Sequence, residues 1–289
     1  MKAILKINSD YSTSIISELI PNDVTGISYS PKEQAVTFFK VSTGSIGFIY
    51  NDGKVVTVPH RMEVAHPIAM CCDKWGTVLM QSSPEMLWCF NQSLNSGERM
   101  CGRRAFEDTK NILPEDPKFA EQCAICRLGQ KTVIFTAPWA NKVVEIREGL
   151  RRDYAGSGKR GFISSSNPLV SMFNFPSGIC FDIVTGTLFI SDTGNSVVRA
   201  FKNRKEIGFV GTPGKDGQSD GQGTSARFNQ PTSLCSADGI VSVADDKTVS
   251  QFNTKTLLSH VVYSSDKRIV GLTSGEKCIY VLETDDADK

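Results

Sequence analysis

The stretch Phe173-Asn174-Phe175-Pro176-Ser177-Gly178-Ile179-Cys180, followed by Leu188-Phe189-Ile190-Ser191-Asp192-Thr193-Gly194-Asn195, returns in degraded form one unit later. Phe228-Asn229-Gln230-Pro231-Thr232-Ser233-Leu234-Cys235 lies 55 residues on, and Val243-Ala244-Asp245 answers Ile190-Ser191-Asp192. A period in this range means that no unit buries its apolar face alone, so the chain must fold as an array of like units. One position, four residues after a proline, can be followed along the sequence: Pro67 leads to Cys71, Pro176 to Cys180 and Pro231 to Cys235. Thr25-Gly26-Ile27-Ser28, Cys123-Ala124-Ile125-Cys126 and Val270-Gly271-Leu272-Thr273 align the same way. The resulting column, Ser28, Cys71, Cys126, Cys180, Cys235 and Thr273, is small throughout. The column before it, Ile27, Met70, Ile125, Ile179, Leu234 and Leu272, is large and apolar. That is the alternation of a strand whose two faces meet different surroundings.

These motifs resemble the NHL repeat, and the chain is similar to an NHL-type β-propeller. The resemblance implies an all-β, six-bladed propeller. It is strongest in the unit around Pro176 and weaker in the unit around Pro231, which loses two residues in the Asp-Asn turn. The sixth unit opens at Arg268 and yields only two strands, Ile269 to Leu272 and Cys278 to Leu282. The N-terminus offers two strands without a unit, Ala3 to Ile7 and Ser14 to Leu19. The expectation is a last blade closed by strands from both termini, residues 1–20 joining 268–289, which removes the free edges that invite aggregation. At about 48 residues per blade, residues 1–289 form a single domain.

A formal net charge of +1 gives no reason to expect a polyanionic partner. No apolar run reaches the roughly 18 residues of a membrane span, and the N-terminal run is too short for a signal peptide. Nine cysteines, an odd number concentrated in one strand column, read as small buried hydrophobes and not as a disulfide framework. An intracellular, cytoplasmic, reducing location follows. Cys123 and Cys126 form a CxxC, but residues three apart on a strand point to opposite faces, so a tetrahedral metal site is not expected there. Gly156-Ser157-Gly158-Lys159-Arg160-Gly161 is a literal GxGxxG, yet no helix follows to hold a pyrophosphate. Gly211-Thr212-Pro213-Gly214 stands one unit later, which makes these glycines loop residues. Resemblance to NHL repeats implies that Asp192 and Asn195 shape a tight turn between the second and third strands.

Three functions are open to such a fold. The peptide-amidating lyases resemble it and hold zinc with three histidines from separate blades. Here the histidines are His60, His66 and His260, and only His66, before Pro67, stands in a corresponding place. Neither that site nor a calcium-dependent lactonase-like one is expected, and the reading is no enzyme, no cofactor, no metal and no small-molecule substrate. The RNA-binding NHL propellers imply a basic, aromatic face for single-stranded RNA. Basic residues do cluster at Arg99, Arg103 and Arg104, at Arg147, Arg151, Arg152, Lys159 and Arg160, and at Lys202, Arg204 and Lys205, but acidic neighbours dilute them. RNA is the alternative partner. The preferred reading is a non-catalytic protein-interaction scaffold, a subunit of a larger assembly, cellular or a virus or phage particle. Its extra length lies in loops: Asn91 to Lys118, and Gly156 to Met172 and Thr212 to Arg227 on one shared face. Candidate partner contacts are Arg103, Arg104, Phe106, Ile112, Arg151 and Arg152.

Overall fold

A computed structural model describes residues 2–20, 24–40, 43, 45–59, 67–73, 76–81, 86–90, 97–101 and 123–285. Of the residues singled out above, His60, His66, Arg103, Arg104, Phe106 and Ile112 lie outside the described residues. Helix is confined among the described residues to single 3-10 turns, and no helix is long and apolar enough to cross a membrane. The strands form antiparallel sheets, numbered here along the chain. Sheet I comprises Val24–Ser30, Ala35–Lys40, Ser45–Ile49 and Val55–Pro59, and sheet II comprises Pro67–Asp73, Gly76–Gln81, Met86–Phe90 and Gly97–Cys101. Sheet III holds Ile125–Gly129, Thr132–Ala137, Lys142–Arg147 and Leu150–Ala155. Sheet IV holds Pro176–Asp182, Thr187–Asp192, Val197–Lys202 and Lys205–Val210. Sheet V is built from Ser233–Ala237, Ile240–Asp245, Thr248–Asn253 and Leu258–Ser264, with Gly221–Gln222 added outside them. Sheet VI joins the two ends of the chain: Arg268–Gly275 pairs with Cys278–Thr284, which pairs with Lys2–Asn8, which pairs with Thr13–Ile20. The first strand of each sheet lies against the first strand of the next, and Arg268–Gly275 lies against Val24–Ser30. The protein is a β-propeller.

Five of these sheets are four-stranded blades, and sheet V corrects the expectation of one repeated four-stranded unit. Its fifth strand comes from the Thr212 to Arg227 segment, expected as a projecting loop. Gly221 and Gln222 pair with Ser259 and Leu258, and the Asp220 carboxylate accepts the Val261 N–H at 2.9 Å. The loop therefore lies along the outer edge of sheet V and covers its unpaired backbone groups. Gly221 makes this possible, because a Cβ there would stand 2.6 Å from the Ala226 nitrogen. Two further expectations need correction. Gly97–Cys101, inside the segment read as a loop from Asn91 to Lys118, is the outer strand of sheet II, paired with Met86–Phe90. Arg151 and Arg152 lie on Leu150–Ala155, the outer strand of sheet III, and not in a loop after it.

The two columns read from the sequence acquire a physical meaning in the packing. Four of the apolar clusters between neighbouring sheets take the small residue of one sheet and the large residue of the next. Cys71 packs with Ile125, Cys126 with Ile179, Cys180 with Leu234, and Cys235 with Leu272. A larger side chain in the small column would have to displace the facing branched residue of the next blade. Where the column carries a hydroxyl, it also binds the neighbouring backbone. Thr273 Oγ1 accepts the Tyr29 N–H, and Ser28 Oγ accepts the Cys72 N–H, each at 2.8 Å. In sheets I, II, IV and VI the register between the first two strands shifts near the start of the first strand. Such bulges bend a strand and raise its twist.

Candidate functional site

The thiols belong to the packing. Cys71, Cys72, Cys123, Cys126, Cys180, Cys235 and Cys278 are free. Burial pushes Cys123 and Cys235 up to about 12 and Cys180 well above the ordinary thiol range, as expected of thiols packed among apolar side chains. Cys123 donates to the Thr136 carbonyl at 2.9 Å and packs toward sheet II, while Cys126 packs toward sheet IV. The CxxC is split between two interfaces. Among the described residues no group of three or more His, Cys, Asp or Glu is placed to hold a metal ion. His260 lies on Leu258–Ser264, where its ring meets Tyr11 edge-on and its Nε2 lies 3.0 Å from the Tyr11 hydroxyl. The GxGxxG glycines take positive φ in an extended loop, at 98°, 82° and 156°, and are followed by a 3-10 turn at Pro168–Val170.

Of the described basic candidates, Arg151 and Arg152 lie on the outer strand of sheet III. Arg151 is half-buried and reaches Asp153 at 3.4 Å, and Arg152 is exposed. Arg204 binds Glu145 at 2.8 Å and covers the Tyr154 ring, 4.9 Å from its centroid.

Arg199, a repeat residue assigned no role above, organises the centre of the most regular blade. It stands on Val197–Lys202 and is completely buried. Its Nη1 binds Asp192 at 3.1 Å and the Met172 carbonyl at 2.6 Å. Its Nη2 binds Glu206 at 2.6 Å and the Ile163 carbonyl at 2.8 Å, and its Nε binds Glu206 at 2.8 Å. The guanidinium lies 4.2 Å from the Phe173 ring centroid and 5.3 Å from that of Phe162. Every donor has a partner and the faces have aromatic neighbours, which is what burying a guanidinium requires. Asp192 is satisfied from several sides, taking the Asn174 N–H at 2.7 Å and the Asn195 amide at 2.9 Å besides Arg199. Burial still pushes its carboxyl up to about 6, opposed by Arg199 and these hydrogen bonds. Asn195 also donates to the Gly161 carbonyl, and Glu206 accepts from Ser165 N–H and the Ser171 hydroxyl. Asp192 precedes a 3-10 turn that Asn195 ends, and the two bond each other across it, but their backbone partners, Asn174 and Gly161, lie outside the turn, and the Gly156 to Met172 loop is clamped to it through Arg199.

One unit later the clamp is missing. Asp245 ends Ile240–Asp245 as Asp192 ends Thr187–Asp192, and it takes the Asn229 N–H as Asp192 takes that of Asn174. Strand register sets Ser250 in the place of Arg199 and Ser259 in that of Glu206. Asp245 is 1% exposed, and its Oδ1 has no hydrogen-bond partner. Burial pushes this carboxyl up to about 7, with the Asn229 N–H opposing and the charges of Asp246 and Asp216 adding to the rise. Beside it opens a cleft of about 390 Å³ lined by Asp216, Gly217, Gln218, Asn229 and the turn Asp245 to Thr248. The Gln218 amide spans it, donating to Ser250 Oγ at 2.7 Å and accepting from Thr248 Oγ1 at 3.0 Å. A carboxylate that takes one backbone hydrogen bond and is otherwise buried can bind a cation or hold a proton near neutrality. The sequence showed the aspartate, but its lost partner becomes visible only when the two blades are set in register.

No protein-family model and no curated protein sequence matches the chain. Solved structures do. A chain of the nidogen/laminin complex aligns with 96% of this chain and 99% of its own length, at 12% identity and a TM-score of 0.65. Gluconolactonase from Xanthomonas campestris aligns over 96% of this chain and 91% of its own, at 11% identity and a TM-score of 0.61. Virginiamycin B lyase from Staphylococcus aureus aligns over 98% and 88%, at 14% identity and a TM-score of 0.56. Two are enzymes and one belongs to a protein complex, so the shared fold leaves the function to be argued from this chain's own surface.

Proposed function

We propose that the chain is a non-catalytic interaction propeller: a ring of six sheets forming one domain, whose loop-bearing face binds a protein. The observation that carries this is the state of the Gly156 to Met172 loop. Arg199, Asn195 and Glu206 tie it down at Gly161, Ile163, Ser165 and Ser171, yet Ile163, Leu169 and Val170 remain exposed at 44%, 47% and 50%. A loop with apolar side chains usually turns them inward. Here a buried ionic clamp holds the backbone in place while those side chains face water, which lowers the ordering cost of a protein contact. The nidogen/laminin relative supports protein binding as a use of this fold. Arg103, Arg104, Phe106 and Ile112 stay proposed contacts of the same kind.

Affinity capture by the intact protein, with and without nuclease, tests the reading. Nuclease-resistant capture, lost on replacing Leu169 and Val170 by Ser with the melting temperature kept, is the expected result. Nuclease-sensitive capture would favour the single-stranded RNA alternative.

A further inference from the structure

The molecule contains its own model for what is absent beside Asp245. In sheet IV the aspartate at the end of the second strand faces a guanidinium supplied from two residues into the third strand. In sheet V the same aspartate position faces Ser250, and the second carboxylate, Glu206, is replaced by Ser259. Both replacements are small, and Ser250 is bonded to Gln218, which lines the cleft. The bridge Ile163 to Met172 in one loop matches Ser219 to Arg227 in the next, which brings Gln218 to the place of Phe162. Phe162 lies over the Arg199 guanidinium, whereas Gln218 binds the serine that stands in the arginine's place. The acidic groups remain while the guanidinium is gone: Asp245 presents an unpartnered buried oxygen, and Asp216 and Asp246 line the same cleft together with Lys247, whose Nζ donates to the Asp266 carbonyl at 2.8 Å.

We propose that the cleft bounded by Asp216, Gln218 and Asp245 is a binding site for a guanidinium group, carried on an arginine side chain of the protein partner. This rests on the platform reading for the source of the arginine, but not for the chemistry of the site. A guanidinium matches the vacancy better than an ammonium, because its planar fork reaches a carboxylate and neighbouring oxygens together, as Arg199 does in sheet IV. The Gln218 amide, held by two neutral hydrogen bonds to Ser250 and Thr248, is the group that such a guest displaces or shares, exchanging neutral bonds for charge-assisted ones.

The test uses N-acetyl-arginine amide as the probe and N-acetyl-citrulline amide, its uncharged isostere, as the control, on the intact protein. Binding is followed through the Asn229 amide resonance, since that N–H is bonded to Asp245. The arginine probe is expected to bind in the millimolar range, the citrulline probe about tenfold more weakly or not at all, and Asp245→Asn to lose the difference. Ser250→Arg, which rebuilds the sheet IV arrangement, is expected to abolish probe binding and to raise the melting temperature. Equal binding of the two probes to wild-type protein would overturn the proposal whatever the variants do, and so would undiminished arginine binding by Asp245→Asn. Protein capture by the wild-type protein that persists unchanged in Ser250→Arg, together with no arginine-probe binding to the wild-type protein, would leave the platform standing and the guanidinium site refuted. Probe binding without any protein capture would do the reverse.

Discussion

Sheets IV and V carry the same aspartate at the same turn and treat it in opposite ways. Asp192 is enclosed by Arg199, Asn174 and Asn195, and Arg199 is itself completed by Glu206, two carbonyls and aromatic rings. Asp245 keeps only the Asn229 N–H. The comparison separates two uses of one repeat position. A buried charge with all its partners locks a loop in place, and a buried charge without its cation leaves a site with unused affinity. The cost of the second arrangement is visible in the raised carboxyl of Asp245, and a protein retains such a cost most readily where the group has work to do.

The sharpest way to break the contrast is to remove the cation from the complete site. Arg199→Met strands Asp192 and Glu206 as buried charges and unties the Gly156 to Met172 loop at Met172 and Ile163. Urea unfolding is expected to show a loss of about 3–5 kcal/mol, the usual consequence of breaking a buried pair from one side. A loss below about 1 kcal/mol would mean that the clamp contributes little and that the two blades do not differ in kind.

A second measurement sharpens the other half. Asp245→Asn removes a buried charge whose cation is already absent, so at pH 8 it is expected to raise stability by on the order of 1–3 kcal/mol. The pH dependence fixes the sign. Asp245 holds its proton more tightly folded than unfolded, where its value is an ordinary carboxyl's, so its contribution to stability is fully present below about pH 4. That contribution is lost as pH rises toward about 7, and the difference between wild type and variant should open across that window and stay flat above it. A difference that is constant from pH 4 to 8 would show that Asp245 does not titrate abnormally.

The smallest expected effect concerns the aromatic face. Phe162→Leu keeps the apolar bulk and removes the ring beside Arg199, and it should cost about 0.5–2 kcal/mol by thermal or urea unfolding. The matching exchange in sheet V, Gln218→Leu, removes the amide bonds to Ser250 and Thr248 and is expected to lie within about 1 kcal/mol of wild type.

Much of this architecture could be read from the amino-acid sequence, because a repeat expresses packing that recurs from one blade interface to the next. The small and large columns are set by the closeness of neighbouring inner strands, a local requirement met at four of the interfaces, so residues such as Cys180 and Leu234 announce it without coordinates. The two unassigned strands at the N-terminus likewise pointed to the sheet in which Lys2–Asn8 meets Cys278–Thr284. Tertiary structure alone decided which polar residues meet. Arg199 looks like any strand arginine until Glu206, Ile163 and Phe162 converge on it from three other segments. The Thr212 to Arg227 segment looks like a loop until its backbone finds the open edge of Leu258–Ser264. Asp245 looks like a degenerate copy of Asp192 until the register shows that its arginine has become Ser250. Apolar burial repeats with the chain and so leaves a periodic trace, whereas a charge is satisfied by whatever distant group the fold delivers to it, and that pairing has no period.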